Sequence, residues 1–319
     1  MSTIGTDIPH AIALLQRGEL VAMPTETVYG LAGNALNEAT VASIFEAKNR
    51  PAFDPLILHI SDWRLAPNWV LSIPEKAETL ARAFLPGALT LLLPKRPIIS
   101  DLVTAGSPLV AIRVPAHAMA QEVLEALDFP LAAPSANPFG YVSPTTAEHV
   151  ADQLGAKIPY ILDGGPCAVG LESTIIGFEG EIPVIFRKGG ITVEAIEQVA
   201  GPVKVKEQSS SRPDAPGMLL SHYAPGTPLL LGNLQKLAAQ HENANIGVIA
   251  FRQPLPSIPL SRQIVLSASG DFAEAAQHLF AGLRYLDGLN LDLILAELLP
   301  EAQLGRAIND RLRRASAKR

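Results

Sequence analysis

Two short polar stretches of the sequence carry side chains that could bind an anion. The first is Lys48-Asn49-Arg50-Pro51, and the second is Ala133-Pro134-Ser135-Ala136-Asn137-Pro138. Lysine supplies a point charge and arginine a planar fork of donors, a common pair for a polyphosphate. Both stretches end at proline, where regular structure should stop. Together they predict the walls of an anion-binding pocket, whereas Lys48 and Arg50 alone are equally well explained by a helix C-terminus.

Two further arginines lie inside apolar segments. Arg113 lies in Leu109–Val114, and Arg187 ends Val184–Arg187. A charge flanked by apolar residues is costly unless it is paired. If each arginine has a structural role, its partner is an internal Asp or Glu. If it has a functional role, its partner is a substrate carboxylate bound bidentately. Because two segments share the pattern, the functional interpretation is favoured.

Small polar residues follow several predicted strands. The segment 24–31 follows a buried strand, where an open α/β sheet forms its ligand crevice, although its threonines could equally cap a helix. A lone histidine such as His59 in an apolar strand is more often a core residue. Hydroxyl and amide residues at other strand ends could each be turn formers. The sequence contains no P-loop, HExxH pair, GxSxG elbow or Cys/His cluster, so phosphate binding must use scattered cations and hydroxyls.

The elements that must position these residues alternate between helical and strand patterns. Helical periodicity predicts helices at Ile8–Arg17, Ala39–Lys48, Glu75–Phe84, Met119–Leu127 and Val193–Val199. Short apolar runs predict strands at Leu20–Met23, Leu56–Ile60, Leu89–Leu93, Leu109–Val114, Leu131–Ala133, Tyr160–Leu162, Thr174–Phe178 and Val184–Arg187. The class is therefore α/β, and the adjacent late strands make the sheet mixed.

The chain changes character after residue 202. Residues 209–217 are rich in Ser, Pro and Gly and predict a linker, but residues 218–225 are apolar enough to lie on a protein surface. From Leu229 onward a βα rhythm predicts a small doubly wound sheet without a GxGxxG run. We therefore predict a first domain over 1–202, a linker over 203–228 and a second domain over 229–319.

Composition and charge restrict the class of protein. The 319 residues are 48% hydrophobic and 18% charged, which is typical of a globular protein. No apolar run is long enough to span a membrane, and the single Cys167 fits a reducing compartment, so we expect a cytoplasmic protein. Residues 1–205 contain 13 Lys/Arg against 21 Asp/Glu, which disfavours sequence-independent nucleic-acid binding. The cations from Leu304 onward are predicted to lie at the solvated C-terminal end of a helix, where they suit its dipole.

The motifs together resemble a known family, the two-domain form of bacterial and archaeal threonylcarbamoyl-AMP synthase. The resemblance covers nearly the whole chain. It rests on Pro24–Leu31, Lys48-x-Arg50, Pro55-Leu56-x-x-His59, Phe84-Leu85-Pro86-Gly87-x-x-Thr90, Arg113-x-Pro115, Ser135-x-Asn137, Asp163-Gly164-Gly165, Glu172-Ser173-Thr174, Arg187-Lys188-Gly189 and Ser221-His222-Tyr223-Ala224-Pro225. It implies a YrdC-like domain with a twisted mixed sheet, followed by a small Rossmann-like C-terminal domain.

The resemblance also implies a reaction and its residues. L-threonine, bicarbonate and ATP would give L-threonylcarbamoyl-adenylate and pyrophosphate, with Mg²⁺ carried by ATP and no protein metal site. The product would reach tRNA through downstream transfer proteins, for the threonylcarbamoyl modification of adenosine. The threonine site would comprise Thr27, His59, Arg113, the Ala133 backbone and Ser173. The ATP site would comprise Lys48, Arg50, Asp54, Leu109, Ser135, Asn137, Ser143 and Arg187, with His222 and Tyr223 closing over it. The predicted catalytic residues are Lys48, Arg50, Ser135 and Asn137.

The chain departs from the family pattern at two positions. Asp54 stands where asparagine is common, and Leu109 where a hydroxyl residue is common.

Two other functions are compatible with a domain of this type. The carbamoyltransferase of hydrogenase maturation uses a related domain, but its Cys-rich zinc modules are missing from this sequence. An RNA-binding module would instead show tight binding with a steep salt dependence. The enzyme assignment fails if the cations are neutralised by neighbouring acids with no cavity between them.

Overall fold

The computed structural model describes residues 2–206, 216–219 and 221–317. Most of the predicted Ser- and Pro-rich linker, residues 207–215, lies outside this range, as do Leu220, Lys318 and Arg319. No helix among the described residues combines the length and apolar character needed to cross a bilayer.

Within residues 2–206, eleven strands form one sheet. They are β1 (Thr3–Gly5), β2 (Val21–Met23), β3 (Gly30–Asn34), β4 (Ile57–His59), β5 (Leu89–Pro94), β6 (Leu109–Arg113), β7 (Leu131–Ala132), β8 (Tyr160–Leu162), β9 (Thr174–Glu179), β10 (Ile182–Arg187) and β11 (Lys204–Val205). Their order is β1-β8-β2-β3-β7-β4-β6-β5-β9-β10-β11. Because β4 and β6 are parallel whereas β9 and β10 are antiparallel, the predicted mixed sheet is confirmed.

Several helices of this domain begin at residues whose side chains cap them. They are α1 (Ile8–Gln16), α2 (Glu38–Lys48), α3 (Glu75–Phe84), α4 (Asp101–Thr104), α5 (Ala118–Glu125), α6 (Ala147–Leu154) and α7 (Val193–Ala200). Asp7, Asn37 and Thr192 accept backbone N–H bonds at the starts of α1, α2 and α7. The predicted helices therefore form within a few residues of their expected bounds.

The strand β3 was not predicted, because its Gly-containing sequence has little strand propensity. It lies between β2 and β7, in the middle of the sheet. A Cβ atom on Gly33 would lie 2.7 Å from the Cγ2 atom of Thr40 in α2. The glycine therefore permits the helix to pack closely on the strand, a requirement that no local pattern reports.

The second domain is a four-stranded parallel sheet with helices on both faces. Its strands are β12 (Leu229–Leu231), β13 (Ile246–Ala250), β14 (Gln263–Val265) and β15 (Leu293–Ala296), in the order β12-β15-β13-β14. Its helices are α8 (Leu234–Gln240), α9 (Phe272–Asp287) and α10 (Gly305–Ser316). Residues of α9 and α10 pack on one face of the sheet, and Leu234 of α8 packs on the other. The predicted doubly wound arrangement is confirmed.

The prediction of a solvated, cationic C-terminal helix is wrong for two of its arginines. Arg311 is 0% exposed and Arg314 is 5% exposed, whereas Arg313 faces solvent. Arg311 lies three residues after Ile308, which faces the core of the second domain, and Arg314 lies three residues after Arg311. Their burial depends on partners distant in sequence, which the composition of the tail does not reveal.

Candidate active site

The strand ends of the first domain bring several predicted residues to one edge of the sheet. His59 and Arg113 are register partners at the ends of the parallel strands β4 and β6. Ala133 directly follows β7, and its N–H donates to the carbonyl of Ile57 at 3.1 Å. Ser173 directly precedes β9. The parallel pairing therefore places His59 beside Arg113, at the edge where α/β sheets bind ligands.

A small cavity of about 50 Å³ lies at this edge. Among the described residues, its walls come from the strand ends of the first domain and from Pro216, Gly217, His222 and Tyr223 of the linker. A volume of this size has space for a few water molecules. The linker therefore forms part of the cavity wall.

Arg113 pairs with a carboxylate of the protein itself, one of the two partners considered from the sequence. Its Nη2 lies 2.6 Å from Oε1 of Glu26, and its Nε donates to the Gly87 carbonyl at 3.3 Å. The second carboxylate oxygen of Glu26 accepts the N–H of Ala116 at 3.0 Å. Among the described residues, Nη1 of Arg113 makes no hydrogen bond, and the side chain lines the cavity. Pairing with Glu26 thus stabilises the charge and leaves one edge of the fork for a ligand.

His59 is a neutral, buried histidine on the cavity wall. Burial, and secondly the charge of Arg113, lower the pKa of His59 to about 3. Its Nδ1 lies 3.2 Å from the carbonyl of Ile57. At neutral pH the ring therefore offers one donor and one acceptor without adding positive charge.

The threonines after β2 close a turn instead of capping a helix. Thr25 Oγ1 donates to the carbonyl of Val28 at 2.6 Å and lies 2.8 Å from Thr27 Oγ1. The chain continues from this turn into β3, so the helix-capping alternative is wrong here. Thr25 lines the cavity, and Thr27 is completely buried.

Arg187 is held by carbonyl oxygens and a hydroxyl. Its Nη2 donates to the carbonyl and hydroxyl oxygens of Ser173 at 2.9 and 3.1 Å, and its Nη1 donates to the Pro216 carbonyl at 3.1 Å. A register shift in β10 between Ile185 and Arg187 indicates a bulge, a feature that re-aims side chains. The hydroxyl of Ser173 lies 2.7 Å from that of Thr90. Arg187 therefore faces the site without a carboxylate partner among these contacts.

Lys48 and Arg50 flank a left-handed residue at the end of α2. Asn49 has a φ of 50° and ends the helix. The Nζ of Lys48 donates to the carbonyl oxygens of Ser135 and Asn137, which joins the two polar stretches noted in the sequence. Burial lowers the pKa of Lys48 well below its usual value. The amine is therefore positioned by neutral groups and can accept a new anionic partner without breaking an ion pair.

Arg50 is paired with Asp54 at 2.8 Å and also donates to the Pro55 carbonyl at 2.7 Å. Burial raises the pKa of Asp54, while the charges of Arg50 and Lys48 oppose this shift. Of the four buried cations in the first domain, Arg50 and Arg113 thus have acidic partners, whereas Lys48 and Arg187 are held by neutral oxygens. A cavity lies beside them, so the enzyme assignment is not contradicted.

The structure brings nine of the predicted residues onto the cavity wall and places six elsewhere. On the wall, within the described part of the chain, are Arg50, His59, Arg113, Ala133, Ser135, Ser173, Arg187, His222 and Tyr223. Away from it are Thr27, Lys48, Asp54, Leu109, Asn137 and Ser143. Leu109 begins β6, about 13 Å from Arg113 at the usual rise per residue. Their contacts with substrates stay predictions.

The apolar half of the linker packs on the protein, as predicted. Met218 is buried with Ile57 and Ile175 of the large sheet. The ring of His222 lies edge-on to that of Tyr223, with the ring centroids 4.1 Å apart. Tyr223 is buried and has a φ of 61°, an uncommon conformation for a bulky residue. Such strain is often found at functional sites.

Two buried residues of the site, Glu172 and Arg311, are not among the predicted binding residues. Glu172 lines the cavity, and its Oε1 accepts the hydroxyl of Ser143 at 2.5 Å. Its Oε2 accepts Nε of Arg311, from the second domain, at 2.9 Å. The three-residue spacing of Arg311 from Ile308 was the available sequence signal.

Comparisons with known proteins agree with this arrangement. A family model described as Telomere recombination (Sua5_yciO_yrdC) matches residues 13–189, and one described as Threonylcarbamoyl-AMP synthase, C-terminal domain, matches residues 191–317. The threonylcarbamoyl-AMP synthase of Bacillus subtilis is 41% identical over 330 residues, covering 100% of this chain and 95% of the relative. That of Pyrococcus abyssi is 41% identical over 324 residues, covering 97% and 94%. The crystal structure of P. abyssi Sua5 complexed with L-threonine matches with a TM-score of 0.92 and 39% identity, covering 99% of this chain and 97% of that one. The chain belongs to the threonylcarbamoyl-AMP synthase family.

Proposed function

We propose that this chain is an ATP-dependent nucleotidyltransferase that converts L-threonine, bicarbonate and ATP into L-threonylcarbamoyl-adenylate and pyrophosphate. One observation carries the proposal: His59, Arg113 and Ser173 share a single cavity with Arg50 and Arg187. The site thus offers polar and cationic groups for both an amino acid and a polyphosphate. The names of the B. subtilis and P. abyssi relatives support the same activity.

Threonine would bind at the strand ends. The free edge of Arg113 is suited to its carboxylate, because a guanidinium binds carboxylates in a fixed planar geometry. Neutral His59 and the hydroxyl of Ser173 would hold the remaining polar groups and leave the amino group free. The P. abyssi protein crystallised with L-threonine is a relative that supports this assignment.

The reaction needs no protein nucleophile. The threonine amine attacks the carbon of bicarbonate, and loss of water gives a carbamate. A carbamate oxygen then attacks the α-phosphorus of ATP, and pyrophosphate leaves. The protein has to align the reactants, exclude water and neutralise developing charge. Lys48, Arg50 and Arg187 would supply the charge, with Ser135, Asn137 and Ser143 as neutral donors.

Mg²⁺ would enter as part of the MgATP substrate. Among the described residues, no group of three or more His, Cys, Asp or Glu could hold a metal ion. Magnesium commonly keeps several waters and binds through substrate phosphates, which fits such a site. The adenylate would pass to downstream proteins that transfer the threonylcarbamoyl group to tRNA, and a cytoplasmic location stays a prediction.

The first test is pyrophosphate release by the purified full chain. Release should require both threonine and bicarbonate, and Lys48→Ala or Arg50→Ala should lower the rate by about 100-fold or more, as loss of a charge-stabilising donor does elsewhere. Arg64→Ala is the matched control, because Arg64 is fully solvated and pairs only with Asp62 among the described residues. Equal release without threonine would contradict the proposal.

A further inference from the structure

Among the described residues, the wall of the cavity carries a single acidic side chain. Glu172 lines the cavity and is 6% exposed, whereas Arg50, Arg113 and Arg187 are the cationic side chains of the same wall. The hydrogen bonds given above for these three arginines go to other groups. A carboxylate repels phosphate, so a site built for a polyphosphate alone would not place one here. Glu172 therefore indicates that the site also binds a different chemical group.

The hydrogen bonds of Glu172 leave its carboxylate able only to accept. Its Oε2 accepts Nε of Arg311 at 2.9 Å, and Arg311 is completely buried. A guanidinium at this distance favours the ionised carboxylate, which has acceptor sites and no proton. The hydroxyl of Ser143 must then be the donor in its 2.5 Å contact with Oε1. Because a hydroxyl has one proton, Ser143 can donate to a phosphate only by giving up this bond.

The carboxylate of Glu172 has acceptor sites left for a ligand. A carboxylate has about four lone-pair sites, and the side chains of the described residues use two of them. Burial lowers the pKa of Arg187, and the charge of Glu172 is among those that oppose the shift. Glu172 thus lies near Ser143 and Arg187, which are both predicted ATP ligands. The ribose of ATP offers two adjacent hydroxyl donors, whereas its phosphates offer none and its adenine offers one amino group.

We propose that Glu172 binds the ribose hydroxyls of the nucleotide and that Arg311 of the second domain is the positioning residue that holds its carboxylate. The inference rests on the proposed nucleotide site and adds the sugar to it. Acidic side chains bind ribose hydroxyls in this way in dinucleotide-binding folds. The chain should therefore select nucleotides that carry these hydroxyls over those that lack them.

Arg311 is suited to hold the carboxylate in place. Its Nη2 donates to the Lys188 carbonyl at 2.9 Å, and its Nη1 lies 2.7 Å from Asp310. The guanidinium is therefore fixed at both ends of its fork. A nucleotide is larger than the cavity of about 50 Å³ and must displace part of its wall. A side chain that binds the ribose needs an anchor that does not depend on the ligand, and Arg311 supplies it from α10.

The test is calorimetric titration of the full chain with ATP and with 2′,3′-dideoxy-ATP, both with Mg²⁺ and without threonine or bicarbonate. The parent chain should bind ATP about tenfold more tightly or better, because the dideoxy analogue leaves buried acceptors unpaired. In Glu172→Gln the ratio of the two Kd values should fall to about threefold or less, since an amide replaces one acceptor oxygen with a donor. Equal binding of the two nucleotides by the parent chain overturns the inference without any variant.

Glu194→Gln is the matched control for Glu172→Gln. Glu194 also pairs with an arginine of α10, Arg306, at 3.1 Å, but it does not line the cavity. Its Kd ratio should equal that of the parent chain. A lower ratio in this control would trace the effect to domain packing and overturn the inference.

Arg311→Lys tests the positioning role. It keeps a positive charge near Glu172 but loses the planar fork, so the Kd ratio should fall at least threefold. Damage to the fold would reduce the binding of both nucleotides in proportion and leave the ratio unchanged, which separates positioning from a merely structural role. An unchanged ratio overturns the role of Arg311.

Two further titrations distinguish the other donors that Glu172 could bind. If Glu172→Gln keeps the ribose ratio but loses a preference for ATP over inosine triphosphate, the carboxylate binds the base. If it keeps the ribose ratio but weakens threonine binding tenfold, the carboxylate binds the amino acid. Either result overturns the inference, as does failure of the parent chain to bind ATP. Ribose selectivity without threonine-dependent pyrophosphate release would leave it standing and refute the proposed reaction instead.

Discussion

At the scale of single residues, the site stabilises its buried charges mainly with neutral oxygens. Lys48 and Arg187 donate to backbone carbonyls, and only Arg50 and Arg113 among these four have carboxylate partners in the described structure. A cation held by carbonyls can bind an incoming phosphate without first breaking an ion pair. If all four cations were paired with carboxylates, those ion pairs would have to break before a ligand could bind, at a cost of several kcal/mol each.

Two histidines with lowered pKa values make stability depend on pH. Burial lowers the pKa of His59 to about 3 and that of His149 to about 4, against about 6.5 in an unfolded chain. The unfolded state therefore binds more protons below pH 6.5, and stability must fall as the pH falls. The expected loss is about 1.4 kcal/mol per pH unit for the buried His59, and less for the half-buried His149, whose charge is screened by solvent.

Urea denaturation between pH 6 and pH 4.5 checks this expectation. The free energy of unfolding of His59→Gln should fall less steeply than that of the parent chain, by about 1.4 kcal/mol per pH unit. The carboxylates titrate in both proteins, so the difference between the two slopes isolates His59. Parallel pH profiles would show that His59 is protonated in the folded state.

At the scale of elements, the end of α2 decides where Lys48 and Arg50 point. Asn49 is exposed and adopts a φ of 50°, so the chain reverses between the two cations. Asparagine and glycine tolerate this conformation, whereas a β-branched residue does not. The identity of residue 49 should therefore affect stability through the backbone alone.

The matched pair Asn49→Gly and Asn49→Val tests this role. Asn49→Val should lower the free energy of unfolding by about 1–2 kcal/mol, the cost of forcing an L-residue with a branched Cβ into the left-handed region. Asn49→Gly should change it by less than about 1 kcal/mol. Equal stability of the two variants, measured by urea denaturation, would contradict the conformational argument.

At the scale of the whole molecule, the two domains are joined by partly buried polar contacts as well as by the linker. Arg284 of α9 donates to the carbonyls of Val142, Ser143 and His149 in the first domain. Asp287 accepts from the hydroxyl of Tyr141 and from two backbone N–H groups of the linker. These contacts fix the second domain against the first.

Removing Arg284 should weaken the coupling between the domains. Arg284→Ala leaves three carbonyls without this donor, at about 1–3 kcal/mol for each that stays buried and unpaired. Scanning calorimetry should then resolve two transitions where the parent chain shows one. Arg306→Ala is the control, since its ion pair with Glu194 also joins the domains but is roughly one-third exposed, so it contributes about 1 kcal/mol or less. A single transition in Arg284→Ala would contradict the coupling.

The sequence by itself determined the features that depend on neighbours along the chain. Periodic apolar residues identified α2 and α3, and short apolar runs identified β4 and β6, because these patterns indicate which face is buried. The βα rhythm after residue 229 identified the doubly wound second domain. The ordered motifs identified the family and nominated Arg113 and Arg187 as binding residues. The order and spacing of the motifs were sufficient for the first inference, and a charge within an apolar segment was sufficient for the second.

The tertiary structure alone decided which of these residues share a cavity and which elements cover it. Gly33 lets α2 pack closely on β3, and Glu172, 139 positions away in the sequence, pairs with the buried Arg311. Leu109 and Arg113 belong to one strand, yet only Arg113 reaches the site. Each outcome depends on groups that folding brings together from distant parts of the chain, so no pattern within a short window contains it.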